Sequence, residues 1–286
     1  MDLTRAFHRA GSRLRNAAPL RQQQWIWRVC EPMWNGVFDR VTRRQGYLVT
    51  LNGDTFRLDY ACGARYDRSD KREYEPTFYV PFAERIHTGM TVFDVGAHVG
   101  FFSLAAGIRV GDAGRVVAFE CAPDTAALLR RHVAYNHLGD RVTVVEKAVS
   151  DSDEGLRFFA YRTSMASSMA RANVESLNPE RLVEPATELL VPAVTLDGFG
   201  ATSGLRPDII KIDVEGAELR VLRGCRHTLA AARPEVFCEI HPRQMENCGG
   251  SVDELRALIS AVDYEMTALD DPNPAGIFHA WLKSRA

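Results

Sequence analysis

The chain has 286 residues, 46% of them hydrophobic, and a formal net charge of −2. That length supports a full core, as one large domain or one domain with an extension, and the near-neutral balance gives no electrostatic footprint for nucleic acid. The six cysteines, Cys30, Cys62, Cys121, Cys225, Cys238 and Cys248, form no CxxC pair, no uncharged run reaches the ~18 apolar residues of a membrane helix, and "MDLTRAFHRAGSRLR" lacks a signal core; reduced thiols in a cytoplasmic protein are the expectation.

The first 45 residues are basic, with Arg5, Arg9, Arg13, Arg15, Arg21, Arg28, Arg40, Arg43 and Arg44 against Asp2, Glu31 and Asp39, and they carry Trp25, Trp27, Trp34 and Phe38. The pattern suits a helix packed on the main domain with its arginines in water, or a helix lying on a membrane surface. "GYLVTLNGDTFRLDY" follows, and its alternation around Asn52-Gly53-Asp54 reads as a β-hairpin. From Thr91 the period changes. "TVFDV" is a buried strand, "FFSLAAGIRV" a helix, "RVVAFE" a strand, "PDTAALLRRHVAYNHL" a helix with proline near its start, and "RVTVVEKAVS" a third strand and loop. "DIIKIDVEG" is a fourth strand, "AELRVLRGCRHTLAAA" a helix, "EVFCEIHP" a fifth strand, "SVDELRALISAV" a serine-capped helix, and "YEMTALD" and "GIFHAWLKS" two final strands. Alternating strands and helices predict an α/β fold, a doubly wound and mostly parallel sheet. The helix-free "DDPNPAG" between the last two strands demands a terminal antiparallel hairpin. Residues 1–73 are then an N-terminal helical and hairpin extension, and 74–286 a Rossmann-like domain. Residues 161–192, long for an ordinary connection, read as a lid insertion shaping a substrate pocket or as a crossover with one amphipathic helix.

In open α/β sheets, ligands bind beyond the carboxyl ends of the strands where the strand order reverses. "VFDVGAHVG" ends a strand in Asp94 and turns through Gly96, Ala97, His98 and Gly100. Asp94 could accept from an ammonium or fix the turn through backbone donors, and His98 could face a cofactor or cap the next helix. Glu120 ends the second strand, where a carboxylate can hold both hydroxyls of a ribose. "GAHVG" lacks the full GxGxxG of dinucleotide binding, and no GK[ST] follows it, so NAD and a Walker-type nucleotide are disfavoured. "KIDVEGAE" gives Lys211, Asp213 and Glu215 one parity, with Asp213 and Glu215 alternating along an extended segment or flanking its end, and "CEIHP" places Glu239 and His241 at the end of the fifth strand. Acids at these strand ends reach one crevice, where they can handle a proton, a substrate hydroxyl or a divalent cation.

On "TVFDVGAHVGFFSLAAG", "VVAFECAPDTAALLRRHVAYN", "VTVVEKAVSD", "VTLDGF", "PDIIKIDVEGAELRVLRG" and "EVFCEIHP", which span Tyr74 to Pro242, the chain resembles the FkbM-type methyltransferases, Rossmann-like enzymes that use S-adenosylmethionine. The resemblance implies a seven-stranded sheet and methyl transfer, mostly to a hydroxyl of a sugar or polyketide-like natural product. It implies that Asp94, Gly96 and Gly100 bound the methionine end of the cofactor, that Glu120 takes its ribose, and that Lys147 and Ala148 lie beside adenine. Glu75, where the family often has a Tyr-Glu pair, is carried as a further cofactor-side residue. The family commonly has asparagine where this chain has His98.

An alkyl hydroxyl is a poor nucleophile at neutral pH, and a positioned base contributes ~10²- to 10⁴-fold. His241 is the first choice for that base because its ordinary pKa is near neutrality. Asp213 is the second, as base or as orienting carboxylate. Glu239 would position His241, and Lys211 would hold an anionic oxygen or neutralise the acids. Asp213, Glu215 and Glu239 could also supply oxygen ligands to magnesium, although no metal is expected. The acceptor is read as a small molecule rather than a nucleic acid, and a homo-oligomer is compatible with the sequence. An N-methyltransferase on the same fold and a non-catalytic cofactor-binding or protein-interaction module remain the alternatives.

Overall fold

The structure, a computed structural model, describes residues 45–60, 62–63, 73–160, 167–168 and 187–285. The basic N-terminal segment and most of the 161–192 insertion lie outside these residues. The chain divides into two compact units, one made of residues up to Pro76 with Arg130–Leu138, the other of Thr77–Leu129 with Gly139–Ala286.

In the first unit, β1 (Tyr47–Leu51) and β2 (Asp54–Leu58) pair antiparallel with Tyr47 opposite Leu58 and Leu51 opposite Asp54. Asn52 and Gly53 both take positive φ, 49° and 87°, which is the twist a two-residue hairpin needs. Tyr47, Val49, Leu51, Phe56 and Leu58 are buried, so the alternation read in the sequence is the buried face. The far edge of β2 is sealed by side chains. Asn136 bonds both backbone groups of Arg57, and His132 Nε2 accepts from the Asp59 amide at 2.9 Å.

The second unit begins with α1 (Pro76–Arg85). It continues through β3 (Thr91–Val95), α2 (Phe101–Arg109), β4 (Arg115–Phe119), α3 (Pro123–Tyr135) and β5 (Val142–Val145). Two-residue β6 (Ala148–Val149) leads to β7 (Leu156–Ala160), β8 (Ser167–Ser168), β9 (Thr187–Val191) and β10 (Ala193–Val194). Then come α4 (Leu196–Ser203), β11 (Ile209–Ile212), α5 (Glu218–Arg223), α6 (Arg226–Ala232), β12 (Glu235–Ile240), α7 (Pro242–Asn247), α8 (Val252–Ala261), β13 (Tyr264–Ala268) and β14 (Phe278–Ser284). The main sheet has seven strands in the order β13-β14-β12-β11-β3-β4-β5. The inner pairs are parallel, and β14 runs antiparallel between β12 and β13. From β3 the chain steps outward to β4 and β5, then returns to lay β11 on the other side of β3. The reversal therefore falls between β3 and β11, where ligands of open α/β sheets bind.

Strand register determines which side chains meet at that edge. Lys211 lies opposite Asp94 on one side and Phe237 on the other, and Phe237 lies opposite Trp281. Two residues further toward the carboxyl edge, Glu239 lies opposite His279. Since side chains two apart share a face, one face carries a row of Asp94, Lys211, Phe237 and Trp281. Glu239 and His279 stand in the next row out. Beneath, a core of Phe93, Val95, Val117, Phe119, Ile210, Ile212, Val236 and Cys238 holds the strands.

Two local features differ from the sequence reading. The helix expected over "AELRVLRGCRHTLAAA" is two helices, α5 and α6, broken at Gly224-Cys225. A Cβ on Gly224 would lie 2.0 Å from the Ser150 carbonyl oxygen, so the break lets another loop cross there. Asp197 accepts from the amides of His227 and Thr228 and restarts the helix. At its described residues the 161–192 stretch contributes β8 and β9, both paired antiparallel with β7. Finally, His241 leads directly into α7, with Pro242 at its first position, where no helix was expected.

Candidate active site

The centre of the site is a buried ammonium. Lys211 is 2% exposed, and its Nζ donates to the Gly96 carbonyl at 2.9 Å. Nζ also lies 3.3 Å from Asp94 Oδ1 and 3.5 Å from Asp213 Oδ2. It thus ties the exit of β3 to the exit of β11. Asp94 is fully buried, and its other oxygen accepts from the Ser103 hydroxyl on α2 at 2.5 Å. Asp94 is thus paired with the Lys211 ammonium inside the protein. The amides of Gly96 and Ala97 both donate to the Phe119 carbonyl on β4. Gly96 has φ 77°, and a Cβ there would sit 1.8 Å from the Asp213 carbonyl oxygen. This glycine is required by the close approach of β11's exit. At Gly100, φ is 96° and a Cβ would strike Leu129.

Glu120 leaves β4 at the same edge. Its Oε2 accepts from the His98 amide at 2.9 Å and its Oε1 from the Ala122 amide at 2.8 Å. Burial dominates its titration and raises its pKa, against the lowering effect of the two amides and Lys211. His98 takes φ 50°, and Gly100, with no side-chain cap, is the N-cap of α2. A left-handed backbone is one that histidine tolerates better than most residues. Beyond Glu120, Ala122, Ala148, Phe158, Val191 and Ala193 form a small apolar cluster with Cys121 against it. Ala148 is buried there, whereas Lys147 is exposed. Glu75 belongs to the first unit and has φ 42°.

The acids after β11 and β12 converge around His241, which is 2% exposed. Strand β11 ends at Ile212, so Asp213 and Glu215 flank its end rather than alternate along it. Glu215, φ 51°, and Gly216, φ 104°, turn the chain back. Glu215 Oε2 lies 3.5 Å from His241 Nε2, and Glu239 Oε1 lies 3.8 Å from it. The shorter contact is to a residue the sequence reading did not single out. Glu218 Oε1, fully buried in the first turn of α5, meets His241 Nδ1 at 2.8 Å and also accepts from the Gly216 amide. Burial alone would lower the His241 pKa. The hydrogen bond and charge of Glu218, then the charges of Glu215 and Asp213, outweigh it and push the pKa up to about 10.

A pKa of about 10 favours the imidazolium at neutral pH, which counts against the reading of His241 as the base, and its shortest carboxylate contact is to Glu218 rather than Glu239. Asp213 behaves oppositely: burial would raise its pKa, but Lys211, His241, a hydrogen bond with Glu239 and His98 together lower it. For metal binding, the donor atoms of Asp213, Glu239 and His241 lie within 4.8 Å of one another, whereas Glu215 faces the imidazole edge.

A second histidine was missed entirely. His279 Nδ1 lies 2.5 Å from Asp270 Oδ2, and the His279 amide donates to Asp270 Oδ1 at 2.8 Å. Its Nε2 is 3.7 Å from Glu239 Oε1. The available signal was parity: His279 and Trp281 in "FHAW" share a face, as Phe237 and Glu239 do in "FCEI". Only the β12–β14 register brings the two sets together.

Comparison with known proteins identifies this arrangement. The family described as "Methyltransferase FkbM domain" matches residues 94–266. The chain is 29% identical over 220 residues, 69% of its length, to the 31-O-demethyl-FK506 methyltransferase FkbM of Streptomyces tacrolimicus, spanning 81% of that protein. It is 25% identical over 261 residues, 78% of its length, to the AMB antimetabolite synthetase AmbE of Pseudomonas aeruginosa, where the match spans 12% of that larger protein. Among solved structures, the methyltransferase FkbM from Methylobacillus flagellatus KT aligns with TM-score 0.44 at 17% identity, covering 77% of this chain and 52% of that one. The glycine turn between β3 and α2, the acid after β4 and the Lys211–Asp213–Glu215 exit of β11 all fall inside the matched residues, and the chain belongs to the FkbM family of S-adenosylmethionine-dependent methyltransferases.

Proposed function

We propose that the protein transfers a methyl group to a hydroxyl of a small natural product of the polyketide or sugar-containing kind. The observation that carries this is the acidic rim at the carboxyl edge. There Asp213, Glu215 and Glu239 stand together with Glu218, and these acids outnumber the cations Lys211 and His241. The relative named for methylation of an oxygen in FK506 supports the acceptor class.

The residues present fit S-adenosylmethionine. Each Glu120 oxygen has one amide donor, and a carboxylate oxygen has capacity for another, so the acid can take the ribose hydroxyls. The apolar group around Ala122 and Ala148 suits a flat base. The excess of carboxylates suits a cation. When bound, the cofactor supplies an electrophilic methyl group on sulfonium sulfur. The protein's part is to orient the acceptor and receive its proton. Asp213 and Glu239, both partly exposed at the rim, are placed to bond the acceptor hydroxyl. Lys211, saturated by Gly96, Asp94 and Asp213, serves to hold the two strand exits together rather than to bind an anionic oxygen.

Calorimetry tests the donor side. Glu120→Ala should weaken binding of S-adenosylhomocysteine by ~1.5–3 kcal/mol, the worth of hydrogen bonds to a charged group. Binding of NAD in preference to S-adenosylmethionine would overturn the assignment. On the acceptor side, labelled methyl groups offered with a panel of hydroxylated polyketides, sugars and amines should appear on oxygen. Transfer to nitrogen alone would replace this reading with N-methylation.

A further inference from the structure

We propose that His279, held by Asp270, receives the proton lost by the methyl acceptor, with Glu239 as the group that takes it from the hydroxyl. This rests on the O-methylation reading above. His279 does not touch the acceptor; it is a positioning and proton-holding residue behind Glu239.

The geometry is that of an oriented imidazole. Both Asp270 oxygens are committed to His279, one to its backbone amide and one to Nδ1, and the Thr77 hydroxyl donates to the latter oxygen at 3.0 Å. Phe78 stacks on the ring, with centroids 4.5 Å apart and planes 17° apart. Ring rotation is therefore opposed by stacking and by the Nδ1–Asp270 hydrogen bond. A carboxylate on Nδ1 requires the hydrogen there, so in the neutral ring Nε2 carries the lone pair. That Nε2 is buried and has no hydrogen-bond partner among the described residues, although Glu239 Oε1 faces it at 3.7 Å. Two acceptors opposed across a gap repel each other unless a proton stands between them, and a buried polar atom left unpaired calls for such an explanation.

The opposition is built into the sheet. Glu239 and His279 are direct cross-strand partners of β12 and β14, so their side chains emerge on one face at close range. His241 cannot serve in the same way. Its Nδ1 is bonded to Glu218, and its Nε2 faces Glu215 and Glu239. In the step, the acceptor's O–H bond breaks and its electron pair forms the bond to the methyl carbon. The carbon–sulfur pair goes to sulfur. The proton passes to the Glu239 carboxylate, then to His279 Nε2, and leaves to water after the product departs.

Two measurements on the full chain test this. The first needs no acceptor. In protein labelled with ¹⁵N-histidine and saturated with S-adenosylhomocysteine, the neutral His279 ring should carry its proton on Nδ1. Its downfield Nδ1–H signal should vanish in Asp270→Asn. A proton on Nε2, or a ring doubly protonated throughout the active pH range, overturns the proposal. The second uses the hydroxyl acceptor identified by labelled transfer. His279→Gln keeps a planar, hydrogen-bonding side chain but cannot hold the proton, and should lower kcat ~10²-fold or more. The acceptor KM and the S-adenosylhomocysteine affinity should stay within about threefold. Turnover within threefold of the parent overturns the proposal. Wild-type protein that methylates only nitrogen would overturn the O-methylation reading instead, and the tautomer measurement would still judge the dyad by itself.

Discussion

Lys211→Met is expected to lose about 3–5 kcal/mol of folding stability, the cost of breaking a buried ion pair by removing one partner. Methionine retains most of the stem volume, so the loss comes from charge and not from a cavity. Asp94 would be left fully buried with only the Ser103 hydroxyl, and the Gly96 carbonyl would lose its donor. Asp213, partly exposed, can recover water and contributes less. Urea unfolding at constant pH measures the effect, and a second substitution assigns its cause. Adding Asp94→Asn removes the stranded charge, so the double variant should be more stable than Lys211→Met alone, a coupling of the kind that contacting residues show. A single-variant loss below about 1 kcal/mol would mean that solvent reaches the pair and that it carries little.

Stability should also fall as the pH rises above neutrality, because of His241. Its folded-state pKa, about 10, lies above the ordinary value of 6.5. The stabilisation is therefore complete below pH 6.5 and is lost as the pH rises toward 10. Within that window the native state holds one proton that the unfolded chain has released. The slope approaches about 1.4 kcal/mol per pH unit, or about 2–3 kcal/mol between pH 6.5 and 8.5. Staying below pH 9 keeps the thiols of half-buried Cys121 and buried Cys225 and Cys238 from contributing, since burial raises their pKa and the exposed thiols of the unfolded chain begin to ionise near 9.0. The groups facing His241 are Glu218, Glu215, Glu239 and Asp213. Glu218→Gln removes the closest charge and should flatten the slope while lowering the His241 pKa followed by NMR. Unfolding free energies that stay level from pH 6.5 to 8.5 would contradict a charged His241. Asp213 acts at the other end: its lowered pKa contributes stability above the ordinary carboxylate value of 3.8, which is lost as the pH falls through the folded value.

The site shows where local pattern suffices. Asp94, Gly96, Gly100 and Glu120 were readable because each is set by its own strand end and turn. A strand followed by positive-φ glycines and a helix leaves little choice about where those residues emerge. Lys211 and Asp213 were readable as a pair because parity along one strand brings their side chains to the same side, and Nζ and Oδ2 indeed lie 3.5 Å apart. Charge states were not readable. His241 looked like a base because its type has a pKa near neutrality, but its proton is held by Glu218, 23 positions earlier, and by acids from the exit of another strand.

Alternation of hydrophobic strands and helices and the helix-free last connection were enough to read a mostly parallel α/β sheet with a terminal hairpin, since these signals are local, and the family motifs, read as a resemblance, implied its seven strands. Tertiary structure alone decided that Ser150 breaks the helix at Gly224, that Glu218 holds His241, and that His279 stands opposite Glu239. Each is a relation between segments distant along the chain. A strand pattern says which face a residue occupies, but a shift of register changes which residue it meets, and an ionisable group takes its charge from whatever meets it there.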